Sequence, residues 1–268
     1  MVAEVALIGG SGLYVPRMFE NAAEASIDTP YGQVDYVAGE LNGKAVVFIA
    51  RHDKSHGTPP HKINYRANIW ALKKLGVKFI AANSTAGSLN PDLRPGDLVI
   101  PDQLLDFTKN RPYTFFDGQD RKVVHVDFTR PFCHTMSELL LSCAPEANLT
   151  CHAGGVYVCT EGPRFETAAE IKMYGMLGGD IVGMTGVPEA VLAREAEMCY
   201  VNFSLVTNMG AGISKNPLSH REVHDYVKSA EAKLLVFIKN ILVKLLEQPE
   251  ETDCDCQRAL WEVGGFKL

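Results

Sequence analysis

Six short apolar runs, each ending on glycine or on small, polar or charged residues, constrain this chain more than any other feature. They are Val5–Ile8, Ala45–Ala50, Phe79–Asn83, Leu98–Ile100, Ile181–Met184 and Tyr200–Thr207. Runs this short suit buried strands rather than core helices. Helical patterns fall between several of them. Asn64–Leu75 carries Tyr65, Asn68, Ile69 and Leu72 at helical spacing. Thr167–Leu177 opens on a capping box, with Glu170 three residues after Thr167, and stops at Gly178-Gly179. Apolar strands alternating with helices predict an α/β domain whose sheet is covered on both faces. A last long helix is expected from Ser219, with Glu222 completing a second capping box and Val223, Val227, Leu234, Phe237, Ile238, Ile241 and Leu245 on one face. One domain over residues 1–247 is therefore expected, followed by a polar tail over 248–268.

Composition narrows the function. With 46% hydrophobic and 22% charged residues, a chain of 268 residues is globular and can bury a sizeable core. A net charge of −6 argues against nucleic acid, whose phosphates need a basic face. No apolar run approaches the roughly 20 residues of a membrane span, and no basic-then-apolar leader opens the chain, so a cytoplasmic protein is expected. Of the seven cysteines, Cys133, Cys143, Cys151, Cys159 and Cys199 are scattered like small core residues. Cys254 and Cys256 form a Cys-x-Cys in the polar tail, which reads first as two solvated thiols and second as a labile disulfide or thiol switch; no histidine or further cysteine lies nearby in sequence to complete a metal spacing.

Two groups of residues carry chemistry. Gly9-Gly10-Ser11-Gly12 follows the first strand as a turn whose N–H groups can face an anion. It is neither a dinucleotide fingerprint nor a Walker loop, since the third glycine and the lysine are missing. Arg51-His52 ends another strand and adds a planar cation suited to phosphate. Asn83-Ser84-Thr85-Ala86-Gly87 adds small donors after a third, and loops at strand ends converge on one crevice. The second group is Thr160-Glu161-Gly162-Pro163-Arg164-Phe165-Glu166-Thr167 together with Val206-Thr207-Asn208. It sets the Glu166 carboxylate at a helix start and the Asn208 amide at a strand end. A carboxylate can accept from the N1–H of a 6-oxopurine, and an amide can reach N7 and O6.

These segments, with Gly183-Met184-Thr185-Gly186-Val187-Pro188-Glu189, resemble the trimeric purine nucleoside phosphorylase and methylthioadenosine phosphorylase family from about Val5 to Leu246. The resemblance implies one domain with a mixed, twisted central β-sheet flanked by helices. It implies phosphorolysis of a nucleoside to free purine and α-pentose 1-phosphate, with inorganic phosphate as co-substrate and no metal or organic cofactor. Ser11, Arg51, His52, Ser84, Thr85 and Thr185 match phosphate-holding positions. Phe165, Glu166, Met184 and Asn208 match nucleoside positions, with Met184 under the ribose. The methylthioadenosine branch carries aspartates where this chain has Asn208 and Gly210, and a small hydroxyl residue at Glu166. Adenine has no N1 proton for Glu166, so a 6-oxopurine is expected. The 5′ end stays open. His220 matches a histidine that reaches a ribose hydroxyl, while His56 and, from a neighbouring subunit, His125 match positions near a methylthio group. Inosine or guanosine comes first, methylthioinosine or methylthioadenosine second. A homotrimer or dimer of trimers with shared sites is implied. Rivals from other classes are a non-catalytic nucleoside binder and a nucleoside hydrolase.

Overall fold

The computed structural model describes residues 3–10, 15–53, 57–118, 123–214, 217–248 and 254–268. Its strands in chain order are β1 (Val5–Gly9), β2 (Glu20–Thr29), β3 (Gly32–Leu41), β4 (Lys44–Ala50), β5 (Phe79–Ser88), β6 (Leu98–Ile100), β7 (Gln103–Phe107), β8 (Cys151–Ala153), β9 (Val156–Thr160), β10 (Ile181–Gly183) and β11 (Cys199–Met209). Its helices are α1 (Tyr65–Lys74), α2 (His134–Cys143), α3 (Ala168–Met176), α4 (Gly186–Glu195) and α5 (His220–Leu246).

Alternation along the apolar runs builds two layers, because successive strand side chains point to opposite faces. Val5, Leu7, Phe79, Ala81 and Phe203 face a core closed by α2 and α5, where Phe203 meets Phe237 edge-on at 5.5 Å. Ala6, Ile8, Ile80 and Ala82 face the opposite core, closed by Ile69 and Leu72 of α1 and Ala190 and Ala193 of α4. The sheet is mixed. It runs β2-β3-β4-β1-β5-β10-β9-β7, with β11 also paired to β5 and to β6, and β6 to β8. The pairs β1–β4, β1–β5 and β5–β11 are parallel, whereas β5–β10 is antiparallel.

Strand β5 is the hinge of this layout. Its first half pairs with β1, its last residues pair with β10, and β11 follows it throughout. The expected loop after Asn83 is therefore not a loop. Ser84–Gly87 stays in the strand, because β11 pairs with it throughout and β10 joins at Gly87. Both helix starts read from sequence are present. Thr167 caps α3 in a reciprocal box with Glu170, and the Ser219 side chain caps α5 at Glu222 N.

The C-terminal segment departs from expectation. Cys256 and Leu260 are buried, at 4% and 2% exposure, so the reading of solvated tail thiols is overturned. The amides of Leu260 and Phe266 both donate to the Glu197 carboxylate, at 3.0 and 2.9 Å. Phe266 then stacks its edge on Trp70, ring centres 5.4 Å apart. Among the described residues no helix is long and apolar enough to cross a membrane.

Candidate active site

Where β4, β5, β10 and β11 end, the sheet borders a cavity of about 690 Å³. Arg51 follows β4 and is held at its mouth by Arg51 N donating to Gly9 O at 3.0 Å. Its side chain is buried. Nε and Nη2 donate to the two oxygens of Glu189 at 2.5 and 2.9 Å, and Nη1 donates to Asn83 O at 2.6 Å. Those bonds use three of the five N–H donors of a guanidinium. Burial works against the Arg51 charge, but Glu189 more than offsets it, so the group is held above its ordinary range. Tyr200 Oη donates to the same carboxylate at 2.8 Å, and burial first, then that carboxylate, pushes the phenol well up.

His52 places Nδ1 2.9 Å from Thr58 O. A carbonyl only accepts, so Nδ1 carries the proton in this pair. Thr185 is the N-cap residue of α4, yet its side chain makes no capping bond. Its hydroxyl thus stays available at the positive end of a helix, where an anion is favoured. Thr85 reaches the same wall. Ser84 does too, but its hydroxyl is engaged with Asn202 Oδ1 at 3.1 Å and Ser204 Oγ at 2.7 Å.

The far end of the cavity is lined by Phe165, Glu166, Met184 and Asn208. Thr160 Oγ1 donates to Glu166 Oε1 at 2.6 Å and fixes one carboxylate oxygen. Asn208 accepts from Thr207 Oγ1 at 3.0 Å and donates through Nδ2 to Met209 O at 3.0 Å, which leaves its second amide hydrogen unspent. A bulge puts it there. The β11 register against β5 steps from Val206–Ala86 to Asn208–Gly87, with Thr207 the extra residue. Such a bulge re-aims the side chain that follows it. Gly87 is needed opposite, since a Cβ there would stand 2.9 Å from Asn208 Nδ2. Gly162, at φ +64°, is needed likewise, because a Cβ would stand 2.5 Å from Met184 Sδ.

Of the residues expected from sequence, Arg51, His52, Ser84, Thr85, Phe165, Glu166, Met184, Thr185 and Asn208 share this one cavity. His125 is exposed and does not line it. Ser11 and His56 lie outside the described residues, as does the side chain of His220.

A sequence profile described as the Phosphorylase superfamily matches residues 4–243. The chain belongs to the Phosphorylase superfamily. Among its relatives, a Thermococcus kodakarensis protein named "Probable 6-oxopurine nucleoside phosphorylase" is 53% identical over 264 residues, covering 96% of this chain and 97% of that one. A Hyperthermus butylicus S-methyl-5′-thioadenosine phosphorylase is 46% identical, covering 96% and 94%. The crystal structure of a methylthioadenosine phosphorylase from an antarctic soil metagenomic library superposes with a TM-score of 0.90 at 39% identity, covering 97% and 92%.

Several residues of this superfamily member are visible only in the fold. Arg111 is buried and donates to Met184 O at 2.6 Å, Glu161 O at 2.6 Å and Thr160 O at 3.1 Å, so it ties the Met184 wall of the cavity to the segment that leads to Glu166. It sits in an irregular stretch with no periodicity to flag it. Glu189 ends the segment Gly183-Met184-Thr185-Gly186-Val187-Pro188-Glu189, but nothing in its spacing marks it as the partner of Arg51. Leu218, Val223 and Val227 also line the cavity where α5 begins, with His224 beside them.

Proposed function

We propose that this protein cleaves 6-oxopurine nucleosides with inorganic phosphate, releasing the free purine and α-ribose 1-phosphate. The observation that carries this reading is one cavity lined both by the Arg51 guanidinium and the Thr185 hydroxyl and by the Glu166 carboxylate and the Asn208 amide. A phosphate oxygen bonds to C1′ as the C1′–N9 bond breaks, and that bond's electron pair passes to the purine. Positive charge builds on the sugar, beside the phosphate that Arg51, His52, Thr85 and Thr185 hold, with Ser11 expected to join them. Negative charge builds on the purine, where the unspent hydrogen of Asn208 donates to N7 and Glu166 accepts from N1–H. Catalysis is then positioning plus electrostatic stabilisation of two separating charges. Arg51 can serve because two of its donors remain after Glu189 and Asn83 are satisfied.

A second reading concerns the 5′ substituent. The wall formed by Leu218, Val223 and Val227 is apolar and suits a methylthio group, which makes 5′-methylthioinosine the alternative substrate. The enzyme is proposed to act in the cytoplasm as a homotrimer or dimer of trimers, with no cofactor in the chemistry. Support for assembly is the apolar face of Met173, Met176 and Leu177 left exposed on and beside α3.

The test is base release from inosine with and without phosphate. Hypoxanthine should appear only with phosphate, one equivalent of sugar phosphate accompanying each purine. Release without phosphate would make the protein a hydrolase, and tight binding without turnover would make it a nucleoside binder.

A further inference from the structure

Glu166 belongs to no helix or strand. It stands just before Thr167, the N-cap of α3, at the end of the loop that leaves β9. A binding group on a loop is poorly fixed unless the scaffold around it holds it. Arg164, two residues earlier, does not do so, because its guanidinium engages Glu170 Oε2 and Oε1 at 2.8 and 2.7 Å. Among the described residues one group donates a hydrogen bond to Glu166, the hydroxyl of Thr160.

Thr160 is a rigid support for that bond. It closes β9, where its backbone lies opposite Phe107 of β7, and its carbonyl accepts from Arg111 Nη2 at 3.1 Å. The residue is buried, and a β-branched side chain has little freedom at χ1. Its single hydroxyl hydrogen has two acceptors in reach, Glu166 Oε1 at 2.6 Å and Gly183 O at 3.4 Å. The carboxylate takes it. A hydroxyl bond to a carboxylate is short and strong, and 3.4 Å exceeds the usual O–H···O range. Glu166 Oε2 is then the oxygen left without a protein donor among the described residues.

We propose, on the base contacts given under the proposed function, that Thr160 is a positioning residue that sets purine selectivity by holding the Glu166 carboxylate with Oε2 toward the N1–H of a 6-oxopurine. Thr160 does not line the cavity, whereas Glu166 does, so Thr160 acts through Glu166 and not on the substrate. Its loss is therefore felt by a base that uses Glu166 and not by one that does not. Inosine presents N1–H and gains from an ordered carboxylate. Adenosine presents a lone pair at N1, so the same ordered carboxylate sets acceptor against acceptor. Loosening Glu166 should weaken inosine and spare or help adenosine. The N1–H bond exists in the bound substrate as well as in the transition state, so the loss should fall chiefly on the KM for inosine.

The experiment measures kcat/KM for inosine and for adenosine, at saturating phosphate, in the parent, Thr160→Val, Glu166→Ala and the double variant. Thr160→Val removes the hydroxyl at nearly constant volume. It should cut the inosine-to-adenosine ratio by about tenfold or more, the worth of a hydrogen bond to a charged group. In the Glu166→Ala background the same change should alter the ratio by less than about twofold, because a residue that acts through another has no effect once that other is gone. Thr160→Ser, which keeps the hydroxyl, should retain most of the preference. If Thr160→Val does not fold, Thr160→Ala gives the same comparison. Three results would overturn the role of Thr160. One is an unchanged ratio in Thr160→Val while Glu166→Ala collapses it. Another is an equal loss on both nucleosides, which marks a merely structural residue. The third is full multiplication of the two effects in the double variant. An intact ratio in Glu166→Ala would instead overturn the proposed base contact itself, and the role of Thr160 with it.

Discussion

At the scale of single residues, two side chains separate recognition from support. In the proposed complex Asn208 is the donor to developing charge on the purine. By analogy with the loss of an oxyanion donor, Asn208→Ala should lower kcat on inosine by about 10²–10³. A loss below about fivefold would remove it from that role. Glu189 touches no substrate in the proposed complex but holds Arg51 in a bidentate grip. Glu189→Ala would strand a buried guanidinium and leave Tyr200 without its acceptor, at a cost of about 3–5 kcal/mol of stability. Denaturant unfolding measures it, and a change under about 1 kcal/mol would mean that solvent or another group replaces the carboxylate. Asn208, Glu166 and Arg51 were legible in sequence because each stands in a recognisable local motif. Glu189 was not legible as a partner, since the pairing joins residues 138 positions apart.

Secondary-structure elements place those residues. The capping box at Thr167 and the side-chain cap at Ser219 could be read directly, because the hydrogen bonds that start a helix are local, although Glu222 does not return the second bond that would complete a box at Ser219. The bulge at Thr207 could not, because a bulge exists only relative to the strand beside it. Yet that bulge, and the space left by Gly87, set where the Asn208 amide points. Gly87→Ala would push Asn208 aside while leaving the β5–β11 ladder paired. The expected result is a fall in kcat on the order of 10²-fold, in keeping with a displacement of about 1 Å at a catalytic group. Thermal unfolding should move little by comparison, and unchanged kcat would show that Asn208 tolerates the shift. The same limit explains β5, where a run expected to end at Asn83 continues to Ser88 because β10 and β11 supply its partners.

At the scale of the whole molecule, the alternating runs were enough to foresee a sheet buried on both faces. They were silent on the docking of residues 254–268, which rests on Glu197, Trp70, Cys133 and Cys199. Exposed His125, set apart from the cavity of its own chain, suits a residue used by a neighbour. A charged substitution on the exposed apolar face, such as Met176→Glu, should then weaken assembly and lower activity together. Sedimentation alongside kinetics tests this, and a fully active monomer would refute the shared site.

The central claim is that Glu166 and Asn208 select a 6-oxopurine. Its most direct test is the ratio of kcat/KM for inosine to that for methylthioadenosine at saturating phosphate. Buried polar groups left unpaired by the wrong base discriminate strongly, so inosine should be preferred by at least about 100-fold. Equal use of the two, or preference for methylthioadenosine, would contradict the assignment of both residues.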